Sequence, residues 1–234
     1  MTERQPHPGV SRGFAIAVDG PASSGKGTAA RLVARDLGFV YVDTGAMYRA
    51  VALVASRRGI AWDDGAALAD MIGGLCFEFG FEDGRFSIGV DGEDVSQLIR
   101  EETIGQGASA VAVQPLVREA LLETQRGLAR EQGVVMDGRD IGTVVLPAAE
   151  LKIFLDAAVD VRARRRHTEL IARGEEASFA AVRAELIARD AQDSSRQAAP
   201  LAQAEDAVYL DTSDLTPEGA RDAIVRLARR RGVG

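Results

Sequence analysis

Asparagine does not occur anywhere in these 234 residues. An Asn-Lys-x-Asp guanine reader therefore cannot form, which excludes the commonest class of guanine-nucleotide switch. Cysteine occurs once, as Cys76. No internal disulfide is possible, and a reducing compartment fits. Between Leu75 and Phe77, Cys76 is expected to be a small core residue. Lysine occurs only as Lys26 and Lys152, so the basic charge is nearly all arginine. The net charge of −7 argues against general binding to nucleic acid or a membrane surface. No apolar run approaches the ~18 residues of a transmembrane helix. Residues 1–13 are polar, contain two prolines and lack the apolar stretch of a signal peptide. They read as a disordered leader, and the protein as cytoplasmic. The lone Trp62 carries no functional signal.

What is present is a loop. Phe14 to Val18 is apolar and is followed by Asp19, then Gly20-Pro21-Ala22-Ser23-Ser24-Gly25-Lys26-Gly27-Thr28, then a helical pattern through Leu37. Strand, glycine-framed loop and helix form the context of a phosphate-binding loop. Glycine lets the backbone curl so that N–H groups point inward at an anion. The helix N-terminus adds partial positive charge, and Lys26 a full one.

Five short apolar runs end in aspartate: 14–19, 39–43, 133–137, 151–156 and 207–211. None alternates, as expected of strands buried on both faces. Helical patterns at 27–37, 116–131 and 161–173 separate most of them. This argues an α/β fold, a parallel sheet flanked by helices. Ligands bind beyond the carboxyl ends of such strands, so these aspartates are expected to rim one crevice. The competing explanation is that aspartate caps helices and starts turns, which suits Asp211 and Asp156 best.

Two stretches interrupt the alternation. From about 60 to 115, segments 75–81, 85–90 and 93–95 are separated by Asp83-Gly84 and Asp91-Gly92, a hairpin signal. They predict a small antiparallel meander. From 157 to about 200 the chain is rich in helix formers and arginine. Near the C-terminus, Thr216-Pro217-Glu218 predicts an N-cap, a proline at N1 and an acidic first turn. Arg229 to Arg231 close that helix.

After Lys26 comes Gly27 and then Thr28, and Gly-Lys-Gly-Thr here resembles nucleoside monophosphate kinases. Further motifs narrow the resemblance. They are Asp43-Thr44-Gly45-Ala46-Met47-Tyr48-Arg49, Gln106-Gly107-Ala108-Ser109, Val117-Arg118-Glu119-Ala120-Leu121, and Asp137-Gly138-Arg139-Asp140-Ile141-Gly142-Thr143-Val144-Val145. Arg189-Asp190, Asp193 and Arg196 complete the set. In this order and spacing the chain, from about Phe14 onward, resembles bacterial cytidylate kinase. On the loop alone, another small-molecule kinase of the same fold or a non-catalytic nucleotide switch would remain open.

The resemblance implies a P-loop kinase fold with a five-stranded parallel sheet. It implies a core at 14–59, 116–156 and 201–234, an NMP-binding insertion at about 60–115 and a helical lid at about 157–200. It implies a monomer that transfers the γ-phosphoryl group of ATP to CMP or dCMP, with Mg²⁺ bridging ATP oxygens and no separate protein metal site. ATP would be held by residues 20–28 (Gly20, Pro21, Ala22, Ser23, Ser24, Gly25, Lys26, Gly27, Thr28) and Arg166. CMP would be held by Thr44, Arg49, Ser109, Arg118, Asp137, Arg139, Asp140, Arg189 and Asp193. The catalytic charges would be Lys26, Arg139, Arg165, Arg189 and Arg196. Tyr48 would be a wall of the nucleotide pocket. Members of the 162–166 arginine run are as well explained by a solvated helix face, and His167 by a surface position.

Overall fold

The computed structural model describes residues 13–82, 85–130 and 132–233. The chain divides into two compact units. One comprises the described residues of 1–40 and 131–234, the other those of 41–130.

The first unit is organised by β1 (Ala15–Asp19), whose residues are buried without exception. It pairs in parallel with β6 (Val134–Gly138) and β7 (Leu151–Asp156), and β7 pairs in parallel with β8 (Val208–Asp211). With β2 (Val40–Asp43) the order is β2-β6-β1-β7-β8. A central strand must satisfy an apolar layer on each face, which is why β1 has no polar residue before Asp19. Against the expectation of two-sided burial, β8 alternates between half-buried and exposed residues. Among the described residues nothing pairs on its outer side, and Tyr209 is 52% exposed there, its ring stacked 6.2 Å from that of Phe154.

Helices α1 (Lys26–Leu37), α6 (Val159–Ala172), α7 (Phe179–Ser195) and α8 (Pro217–Arg230) belong to this unit. The predicted start of α8 is present: the Thr216 side chain accepts from Gly219 N at 3.1 Å with Pro217 at the first turn. A π-helical turn, Ile141–Val145, follows β6.

The second unit has a helical core. Helices α2 (Thr44–Arg57), α3 (Gly65–Gly73), α4 (Glu102–Ala112) and α5 (Pro115–Arg130) bury Met47, Val51, Leu68, Val111 and Leu121. The three-stranded sheet β3 (Phe77–Glu82), β4 (Arg85–Val90), β5 (Glu93–Asp94) is antiparallel, and Ile88 joins the same core. Asp91 at φ 53° and Gly92 at φ 83° supply two successive left-handed residues, as a type I′ hairpin turn requires. The Asp83-Gly84 turn lies outside the described residues, as does the leader up to residue 12. Cys76 is exposed, not a core residue as its apolar neighbours suggest. It precedes β3 at the hairpin end, where its N–H donates to the Asp91 side chain at 2.9 Å.

Candidate nucleotide-binding site

The phosphate loop leaves β1 at Asp19 and enters α1 at Lys26. Gly20 is obligatory: an added Cβ would lie 2.0 Å from the carbonyl oxygen of Leu155 on β7. Ser23 (φ 59°) and Gly25 (φ 91°) are both left-handed. No side chain caps α1, so its first-turn N–H groups remain for an anion. Lys26 is only 8% exposed, and its ammonium donates to Pro21 O at 3.3 Å. The loop opens on a cleft of about 400 Å³ whose lining includes Ser23, Gly25, Thr28, Arg165, Arg166 and Thr212. The Ser24 hydroxyl is buried without a hydrogen-bond partner.

Arg165 lies against this loop. Its Nη1 donates to Ser24 O at 3.1 Å and to Thr212 Oγ1 at 3.2 Å, and its Nη2 to Thr212 O at 2.6 Å. Arg166 pairs with Glu169 at 3.1 Å on the same helix. Arg162 is no solvated surface residue. It is buried, donating to Ala22 O at 3.2 Å and pairing with Asp190 at 2.6 Å. His167 is half-buried with Nε2 3.0 Å from Ala177 O.

Arg139, at the end of β6, donates through Nε to Asp193 on α7 at 2.8 Å. Arg196 lies 3.4 Å from the other Asp193 oxygen. Burial pushes the Asp193 carboxyl up, but the charges of Arg139, Arg196 and Arg189 outweigh it and hold the group below the usual carboxylate range. Three arginines of the expected set therefore gather at one carboxylate. Asp137 and Asp140 are buried close by in sequence.

In the second unit, Arg49 on α2 donates to Ile99 O at 3.2 Å. Its Nη1 lies 3.0 Å from where a Cβ on Gly105 would sit, and the Ser109 hydroxyl donates to Gly105 O at 3.3 Å. Gly105 thus brings Arg49 and Ser109 to one turn of α4. Arg118 on α5 donates to Ala112 O at 3.2 Å and lies 5.5 Å over the Tyr48 ring, a cation–π distance. Thr44 is buried at the first position of α2.

The aspartates at the strand ends do not share one role. Asp43 caps α2, accepting from Ala46 N at 3.0 Å. Asp156 accepts from Ala157 N at 2.7 Å and Asp211 from Ser213 N at 2.8 Å. Asp19 is different. It is 4% exposed and accepts from Ile141 N at 2.8 Å and Gly142 N at 2.7 Å. Burial raises its pKa from 3.8 to about 6, against those two hydrogen bonds and Lys26, with Asp140 adding to the rise.

The cytidylate kinase family model matches residues 16–230. The chain belongs to the cytidylate kinase family. It is 50% identical to cytidylate kinase of Chromobacterium violaceum over 210 residues, covering 90% of this chain and 93% of that one. Cytidylate kinase of Geobacter sp. strain M21 is 47% identical over 219 residues, 94% of each chain. That of Exiguobacterium sp. is 48% identical over 220 residues, 93% of this chain and 97% of its own.

Within this cytidylate kinase framework, some contributors have roles that the sequence did not assign to them. Asp19 ties the base of the loop to the turn after Asp140, and its one clue is being the first polar residue of β1. Thr212 and Arg162 brace the loop from distant segments. Trp62 donates to Ala52 O at 3.0 Å, and its ring would be 2.6 Å from a Cβ at Gly107. The glycine of the Gln-Gly-Ala-Ser motif is thus required by the tryptophan packed on α4.

Proposed function

We infer that this protein transfers the γ-phosphoryl group of ATP to CMP or dCMP, giving ADP and CDP or dCDP. The observation that carries this reading is the near-complete match of residues 16–230 to the cytidylate kinase family. The loop geometry supports it: left-handed Ser23 and Gly25, a helix start with no side-chain cap, and a buried lysine.

Donor and acceptor phosphates are both anionic, so their approach in a low-dielectric site is repulsive. Catalysis is then mostly positioning and charge neutralisation. On this reading Lys26 and the loop amides hold the ATP phosphates, with Arg165 and Arg166 on the donor side. Arg49 and Arg139 hold the acceptor phosphate, their planar forks suiting bidentate contact. Asp193 keeps Arg139 ordered before substrate arrives. Arg189 and Arg196 neutralise the transferring group. Ser109 and Arg118 read the cytosine edge, while Thr44, Asp137 and Asp140 serve the rest of the nucleotide. No strong general base is needed, because the acceptor phosphate is already ionised near neutral pH.

Among the described residues no group of three or more His, Cys, Asp or Glu is arranged to hold a metal ion. Mg²⁺ takes oxygen donors, and the exposed Thr28 hydroxyl in the cleft is the protein group that would hold an ion arriving with the nucleotide. Such an ion would neutralise phosphate charge. We take the protein to act as a monomer in the cytosol, a setting in which the exposed, unpaired Cys76 stays reduced.

The test is coupled ADP release from MgATP with CMP, dCMP, UMP, AMP and shikimate in turn. CMP or dCMP is expected to be the best acceptor. A best rate with AMP, or ADP release that ignores the acceptor, overturns the reading.

A further inference from the structure

Thr212 follows β8 and is 3% exposed. Its N–H donates to Asp156 O at 2.8 Å, extending the β7–β8 ladder by one residue. Its hydroxyl lies 3.0 Å from both Asp156 O and Ser24 O. A hydroxyl has one proton. Each carbonyl also takes a second donor, Asp156 O the Thr212 N–H and Ser24 O the Arg165 guanidinium, so the one proton is shared between two equidistant acceptors. The hydroxyl oxygen in turn accepts from Arg165 Nη1, which also reaches Ser24 O directly. The relay runs from Arg165 to Thr212 and on to the Ser24 and Asp156 carbonyls, and each hydrogen bond polarises the next.

Ser24 sits between two left-handed residues, Ser23 and Gly25. That backbone is disfavoured by itself, most of all at Ser23, and persists only when its surroundings impose it. The two donors on the Ser24 carbonyl are such a constraint. They also tether the Arg165 guanidinium beside the cleft. We propose that Thr212 is a positioning residue for the phosphoryl donor: it holds the phosphate loop in its anion-binding shape before ATP arrives and sets the place of Arg165. Pre-arrangement of this kind removes an ordering cost from nucleotide binding.

The proposal rests on the ATP-dependent kinase reading, so wild type and variants are assayed side by side. An inactive wild type would defeat that reading, whereas an active wild type leaves the variants to decide this one. Thr212→Val keeps the volume and removes the hydroxyl. We expect kcat/KM for ATP to fall about tenfold or more while KM for CMP stays within about twofold, and Thr212→Ser to restore ATP use to within about threefold. Should the valine variant not fold, Thr212→Ala replaces it with the same expectations. Calorimetric binding of MgADP should weaken in parallel. Wild-type ATP parameters in a hydroxyl-free variant overturn the proposal. So does an equal loss for ATP and CMP that serine fails to rescue, since that is the signature of general destabilisation.

Discussion

The phosphate loop and the surface that carries Arg49, Ser109 and Arg118 hold their polar groups in opposite ways. In the loop the donors are largely backbone N–H groups, aimed by dihedral angles at Ser23 and Gly25 and by the close passage of Gly20 beneath Leu155. In the 41–130 unit the groups are side chains on three helices, placed by packing around Gly105 and Tyr48. A backbone site changes shape as a unit when one residue is altered. A side-chain site loses one contact at a time. The difference predicts that substitutions will damage folding and donor binding together in the first region, and single steps of recognition in the second.

The Arg139–Asp193 pair gives the largest expected effect, because Arg139 is the counter-charge proposed for the acceptor phosphate and a part-buried carboxylate holds it in place. Arg139→Ala should lower kcat by about 10³-fold through loss of counter-charge at the acceptor. A variant turning over near the wild-type rate would remove Arg139 from the catalytic set.

Asp19 probes the joint between loop and turn. Its folded pKa of about 6 lies above the ordinary 3.8, so the folded state binds this proton more tightly than the unfolded chain. The stability contributed by the protonated carboxyl is complete below pH 3.8 and is lost as pH rises through about 6. Relative to Asp19→Asn, wild type should therefore gain on the order of 3 kcal/mol on going from about pH 7 to below about pH 4. Urea unfolding of both proteins at the two pH values measures this, and a pH-independent difference contradicts the assignment.

Gly20→Ala tests the backbone side of the comparison. The Leu155 carbonyl cannot yield as a flexible side chain would, so a loss of about 2 kcal/mol is expected, accompanied by weaker MgATP binding. Unaltered thermal stability would mean the strand and loop separate more easily than their approach implies.

Ser109→Ala is the smallest expected change and the clearest test of the side-chain region. Discrimination of CMP over UMP should fall by about tenfold or less, the worth of one hydrogen bond, while the melting temperature holds. Unchanged discrimination in folded protein would take Ser109 out of base reading.

Legibility in the sequence followed the same division. The loop could be read from nine consecutive residues, because glycine at fixed positions is a local backbone requirement. The parallel sheet was equally legible, since strands buried on two faces leave unbroken apolar runs. The exposed alternation of β8 was not, because edge position depends on which strand pairs outside it. The same limit applies to Cys76: apolar neighbours do not reveal that it stands at a hairpin end. The aspartates looked alike in one dimension, yet Asp43 is a helix cap and Asp19 a buried acceptor of two N–H bonds.

By itself the order of residues determined the α/β class, the phosphate loop, the meander and the motifs that place this chain among cytidylate kinases. All of these depend on neighbours within a few positions, or on spacing along the chain. Only the tertiary structure decided that Thr212 and Arg165 hold the Ser24 carbonyl, that Asp193 pairs with Arg139, and that Trp62 explains Gly107. Those pairings join residues 45 to about 190 positions apart. Hydrogen bonding and close packing act over a few ångströms of space, and no local pattern records which distant segments the fold will bring within that range.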